Sequence, residues 1–310
     1  MSSLLSPQVG KVHEYLPRLT AFEFDGNSGS EAAPNVVLFI GGLSDGLLTV
    51  PYLPRLAKSI ESIRSQHGQW VLVQALISSS YLGWGTGSLE ADAKELSLLV
   101  KYLRSEKGGN RKKIVLMGHL TGCQDSMQYL TKLCKKADVP EDILLDGVIL
   151  QAPVSDREAV ADHMGGMKKL EPLLEKVKKE FILTGNGQHI LPHEFDIFKT
   201  PVTAYRFCSL MSIRGDDDYF SSDLNSDDFK QTFGIVDRPL LVLYGSKDEC
   251  VPEFVDRERL VEKWKNATDT KYWSPLSKVL EGANHNVGPT SDDGAVEDFL
   301  ETVYKFILSI

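Results

Sequence analysis

A chain of 310 residues, 42% of them hydrophobic, holds material for a large core and carries no long Gly/Ser- or Pro-rich linker that would split it. Its 34 basic and 43 acidic residues leave a formal charge of −9, which repels phosphate backbones and argues against nucleic acid as a general partner. Four cysteines, Cys123, Cys134, Cys208 and Cys250, form no C-x-x-C pair, and a chain this long does not need disulfides to fold, so they read as reduced thiols.

The first twenty residues lack the basic-then-apolar run of a signal peptide. No uninterrupted apolar run is long enough to cross a bilayer, so a soluble, cytoplasmic protein without membrane attachment is expected. Gly10 to Phe24 carries Val12, Tyr15, Leu16, Leu19, Phe22 and Phe24, enough for one or two edge strands. Gly26 to Pro34 is polar and glycine-rich and reads as a loop. Then Asn35 to Ile40 is a short apolar run closed by Gly41-Gly42, the pattern of a buried parallel strand. The same signature returns at Trp70 to Leu76, Lys113 to Gly118, Gly147 to Pro153 and Pro239 to Gly245, and more weakly at Ser277 to Leu280.

Helical periodicity lies between these runs. Tyr52 to Ile63 aligns Leu53, Leu56, Ala57 and Ile60. Leu89 to Leu103 aligns Leu89, Ala93, Leu96, Leu99, Val100 and Leu103. Thr121 to Leu133, Phe254 to Trp264 and Ala295 to Leu308 complete the set. Strands alternating with helices predict an α/β fold with a mostly parallel central sheet flanked by helices. Right-handed crossovers then gather the C-terminal strand ends, and the functional residues, on one edge. Residues 1–310 are read as one domain.

Ser155 to Asp237 breaks the rhythm. Residues 155–237 read as a cap or lid inserted over the catalytic edge, the plain alternative being a solvated excursion that thickens the domain. Within it, Lys168, Lys169, Lys176, Lys178 and Lys179 alternate with Glu171, Glu175 and Glu180 at helical spacing. That suits a solvated helix rather than a patch for a charged partner. Asp216, Asp217 and Asp218 read as a solvated acidic loop rather than a cation site. No cluster has the spacing of a metal site, and no metal or other cofactor is expected. Gly41-Gly42-Leu43-Ser44-Asp45-Gly46 does not match a dinucleotide-binding fingerprint.

The most informative segment is Met117-Gly118-His119-Leu120-Thr121-Gly122-Cys123. It follows an apolar strand and opens a helix, with glycines flanking position 120 at the spacing of a nucleophile elbow. That turn needs small neighbours because it is sharp and holds its central residue in a strained conformation. In a hydrolase the centre is serine; here it is Leu120, which has no nucleophile, donor or acceptor.

The run Gly118 to Asp125, with Gly41 to Gly46 and Arg214 to Phe220, resembles a small family of α/β-hydrolases that includes fungal esterases opening fusarinine-type siderophores. The resemblance runs from about Tyr15 to Ile307. It implies the α/β-hydrolase fold with an inserted cap, a small-molecule ester as substrate, and serine where this chain has Leu120. It also implies the backbone N–H of Thr121 as an oxyanion donor. Leu43, after the first parallel strand, supplies the second amide; Gly41-Gly42 equally serves as a tight strand-to-loop turn.

Asp248, in Gly245-Ser246-Lys247-Asp248-Glu249-Cys250, follows a strand where this fold places the triad acid. Its other reading is a cap or turn residue for the next helix, and Glu249 is the neighbouring candidate. His285 follows the last strand, and the order elbow, Asp, His is that of the fold; the alternative is a surface-loop histidine. His119 packs under or beside the elbow. Ser44, Cys123 and Ser126 are the remaining nucleophile candidates, each of which needs hydrogen-bond reach to the base. Position 120 is either altered, to trap substrate or silence the enzyme, or natural. Three functions follow: an ester-hydrolase scaffold impaired at position 120, a non-catalytic ligand-binding member, or a lyase or cyclase using His285 without an acyl-enzyme.

Overall fold

Eight strands pair into one sheet in a computed structural model that describes residues 6–24, 34–63, 68–195 and 199–310. The loop expected from Gly26 to Pro34 lies, except for Pro34, outside the described residues. The strands are β1 (Gly10–Leu16), β2 (Leu19–Phe24), β3 (Asn35–Ile40), β4 (Trp70–Ala75), β5 (Lys113–His119), β6 (Gly147–Gln151), β7 (Leu240–Gly245) and β8 (Lys278–Leu280). Their spatial order is β1-β2-β4-β3-β5-β6-β7-β8. The first two form an antiparallel edge hairpin that meets β4 antiparallel, and every later pair is parallel. This is the α/β-hydrolase fold.

The continuous apolar runs of β3, β4 and β7 are buried at every residue because both faces are covered. Alternate side chains leave the sheet on opposite sides. Val36, Leu38 and Ile40 join a core with α2 (Leu89–Arg104), α3 (Thr121–Thr131) and α8 (Arg257–Ala267). Val37 and Phe39 join a second core with α1 (Leu53–Glu61) and α9 (Ala295–Ser309). Strand order reverses at β3, which lies between β4 and β5 with Ile40 opposite Gly118. That reversal sets the loop after β3 beside the turn after β5, the position where this class of sheet binds ligands.

Between β6 and β7 lie α4 (Asp156–His163), α5 (Met167–Val177), α6 (Ala204–Met211) and α7 (Ser226–Thr232). Leu170, Leu174, Val177, Phe195, Phe207 and Leu210 build an apolar cluster of their own with Trp84, and Leu43 packs at its margin. Further on, Phe220, Phe229 and Phe233 return to the main core, where Phe233 stacks on Trp264 at 5.4 Å between centroids. The lysine-rich stretch is a solvated helix face, with Lys178 paired to Glu175 and Lys176 to Glu194.

Two of the three aspartates expected in a solvated acidic loop, Asp217 and Asp218, have buried, paired side chains, while Asp216 is exposed as expected and accepts from Tyr205 Oη. Arg206 Nη1 donates to both carboxylate oxygens of Asp217 at 2.8 and 2.6 Å, and its Nε donates to the Trp84 carbonyl. Asp218 is buried beside Arg157 and accepts from the Arg214 amide. Their cationic partners come from other helices, so consecutive aspartates in sequence carry no sign of the pairing. Such pairs fix one arrangement of the segment more than they add net stability.

Candidate active site

Leu120 occupies the turn from β5 into α3 at φ 51° and ψ −122°, a region costly for any residue with a Cβ. The neighbouring glycines make the turn feasible. A Cβ on Gly118 would stand 2.1 Å from the Gly122 carbonyl oxygen, and one on Gly122 would stand 2.4 Å from that of Ile40. A Cβ on Gly42 would meet Leu120 Cβ at 2.5 Å, so the loop after β3 runs directly against the elbow. Leu120 itself is half-buried and packs on the main core.

Asp248 and His285 come together from loops 37 residues apart. Nδ1 of His285 lies 3.0 Å from each carboxylate oxygen of Asp248, and both side chains are buried. Nε2 of His285 is buried and has no hydrogen-bond partner among the described residues. Burial alone would lower the imidazole pKa. The hydrogen bond and charge of Asp248, with Cys250 alongside, outweigh it and raise the value to about 10.

Among the described residues, the amides of Leu43 and Thr121 donate to no protein acceptor. Thr121 opens α3, so its N–H is one of the orphan donors at a helix start. Two unengaged amides on facing turns are the donor arrangement an oxyanion needs.

Gln151 and Val287 escaped sequence reasoning, and the structure gives His119 and Glu249 specific partners. Gln151, the last residue of β6, accepts from Tyr52 Oη at 2.9 Å and from His119 Nδ1 at 2.6 Å, and donates to the His285 carbonyl at 3.0 Å. Only its place at a C-terminal strand end marked it in advance. His119 packs beside His285, 5.0 Å between ring centroids. Burial first, and the neighbouring His285 second, push its pKa down to about 3, so it is a neutral scaffold group. Glu249, the second acid candidate, does not reach the imidazole and instead accepts from the backbone N–H of His285 at 2.9 Å. Val287 holds φ 45°, an outlier for a β-branched residue, two residues after the histidine.

None of the alternative nucleophiles is bonded to His285. Ser44 Oγ accepts from Trp84 Nε1. Cys123 Sγ is buried and donates to backbone carbonyls of Gly118 and Gln151. Ser126 Oγ donates to the Gly122 carbonyl one turn back.

Residues 1–308 match the family described as "Protein of unknown function (DUF1749)". A UPF0613 protein of Schizosaccharomyces pombe is 40% identical over 306 residues, covering 93% of each chain. A fusarinine C esterase of Aspergillus fumigatus is 34% identical over 331 residues, covering 92% of this chain and 91% of the relative. Among solved structures, the siderophore hydrolase EstB from Aspergillus fumigatus superposes with a TM-score of 0.80 at 30% identity over 98% of both chains.

Proposed function

The chain belongs to the DUF1749 family, and we propose that it is a carboxylic-ester hydrolase scaffold of the Ser–Asp–His type whose covalent chemistry is stopped at position 120. One observation carries the reading. An elbow conformation at Leu120 stands in the same site as a complete Asp248–His285 pair whose outer imidazole nitrogen is unpartnered. Asp248 orients the ring and stabilises its charged form, and His285 is the base. The amides of Leu43 and Thr121 serve the oxyanion. Leucine supplies no hydroxyl and fills the space of attack, so acyl-enzyme formation is absent in the chain as it stands.

The substrate class is a small-molecule ester, and the esterase and siderophore-hydrolase relatives favour a fusarinine-like one. The segment 155–237 is its cap, with the cluster around Phe207 reaching Leu43 at the site, and it bounds substrate size. The test is Leu120→Ser followed by a serine-directed phosphonate. Covalent labelling at position 120, found by intact mass and peptide mapping, together with ester turnover, is expected. A folded serine form that neither labels nor hydrolyses, but still binds ester ligands, would replace this reading with a non-covalent binding protein.

A further inference from the structure

The acid–base pair has a third neighbour that acid–base chemistry does not use. Cys250 lies two residues after Asp248, and its amide donates to Asp248 Oδ1 at 2.9 Å. Sγ of Cys250, a carboxylate oxygen of Asp248 and a ring nitrogen of His285 all lie within 4.8 Å of one another. Among the described residues this is the one cluster of three such donors. We propose that Asp248, Cys250 and His285 form a binding site for a thiophilic divalent cation of the zinc class, and that occupation takes His285 out of use.

The donor chemistry selects the ion. Thiolate, imidazole and carboxylate on one centre suit Zn²⁺, whereas Mg²⁺ and Ca²⁺ prefer all-oxygen shells. Zinc bonds of 2.0–2.3 Å in tetrahedral geometry hold ligand atoms roughly 3.3–3.7 Å apart. The Nδ1–carboxylate contact of 3.0 Å therefore opens by a few tenths of an ångström. Cys250 closes by about an ångström or less, through side-chain rotation. Among the described residues, only Asp248 and the Cys250 thiol, both ligands of the proposed site, bond the ring, and Nε2 is unpartnered. Asp248 and His285 are buried while Cys250 is half-buried. Cys250 thus marks the side from which an ion enters and on which a fourth, water ligand sits. Binding forms one metal–sulfur, one metal–nitrogen and one metal–oxygen bond. It releases to solvent the thiol proton and the proton shared by Asp248 and His285, with no change of oxidation state. The ion then lies between acid and base and ends the hydrogen bond that orients the imidazole. The consequence for activity rests on the acid–base reading above; the binding itself does not.

The experiment is an optical titration of the reduced full chain with Co²⁺, followed by displacement with Zn²⁺. Saturation at one equivalent is expected, with a thiolate-to-cobalt charge-transfer band and the intense visible bands of a four-coordinate ion. Both should be lost in Cys250→Ser and in His285→Ala and kept in Cys134→Ser and Cys208→Ser. Absence of the charge-transfer band, or its persistence in Cys250→Ser, overturns the proposal. Should Cys250→Ser fail to fold, alkylation of the parent chain decides. Zn²⁺ should slow modification of Cys250 at least tenfold while leaving Cys134 unchanged, and equal rates with and without the ion overturn it. The titration needs no catalysis. A cobalt band without ester turnover in Leu120→Ser defeats only the hydrolase reading, and turnover without a band defeats only this one.

Discussion

The side-chain amide of Gln151 donates to the backbone carbonyl of His285 at 3.0 Å, across 134 residues of chain. Its own carbonyl receives Tyr52 and His119, so one side chain at the end of β6 ties the His285 loop, the first helix region and the elbow strand together. Gln151→Leu is expected to leave three buried polar groups unpaired and to cost about 2–4 kcal/mol in urea unfolding. Gln151→Glu, which keeps both acceptor bonds and loses the donor, is expected to cost less while broadening the His285 imidazole resonance. Equal stability of Gln151→Leu and the parent chain would refute this role.

Placing a serine at position 120 is expected, on the proposed function, to change rate rather than binding. Leu120→Ser should raise turnover of simple and siderophore-type esters by at least about 10²-fold, since it opens the covalent route. His285→Ala in the serine form should remove most of that gain, and Asp248→Asn should cost heavily too. The two losses should fall well short of additive, because nucleophile, base and acid act as one unit. Stopped-flow and steady-state rates of the single and double variants check this.

Protonation of His285 sets the pH dependence. Its folded value, near 10, lies above the ordinary 6.5. Its stabilising contribution is therefore complete below about pH 6.5 and is lost as pH rises through about 10. Asp248→Asn is expected to flatten that part of the stability curve and to move the His285 NMR titration down by well over one unit. In the Leu120→Ser form, the neutral imidazole needed for general-base catalysis accumulates only toward alkaline pH. The rate should rise across pH 7–9, and a plateau reached below pH 7 would contradict the assignment.

Asp156, at the start of α4, is buried; burial first, with Asp217 adding, raises its carboxyl from 3.8 to about 7. The unfolded chain loses this proton from about pH 4 while the folded chain keeps it to about 7. The stability that the bound proton carries is thus present below pH 4 and gone above 7. Asp156→Asn preserves an acceptor for Gln124 Nε2, which donates to Asp156 Oδ2 at 2.9 Å. The variant is expected to be more stable than the parent at pH 8, by one to a few kcal/mol on the order-of-magnitude scale of such shifts, and nearly equal to it at pH 4. Urea midpoints at the two values test the sign.

Most of the framework was legible in the chain itself. Apolar runs at 35–40, 70–75 and 240–245 have to be buried on both faces, and only a parallel sheet under two helix layers does that. Gly118 and Gly122 around position 120 announced a turn that side chains cannot tolerate, and chain order singled out Asp248 and His285, which the fold brings into contact. These are local constraints of backbone sterics and hydrophobic period, which neighbouring residues express without help from the rest of the fold.

The remaining parts of the site were decided only by tertiary structure. Gln151 carries no motif, and the segment after β7 does not tell what Glu249 and Cys250 face; all three bear on His285 because three separate strand ends meet at one sheet edge. Asp217 and Asp218 look like solvent-facing charges until Arg206 and Arg157 arrive from helices α6 and α4. A polar side chain takes its role from the partner that satisfies it, and a partner tens of residues away leaves no periodic trace in the sequence. Hydrophobic pattern therefore determined where the chain is buried, while packing alone determined which buried polar groups face one another.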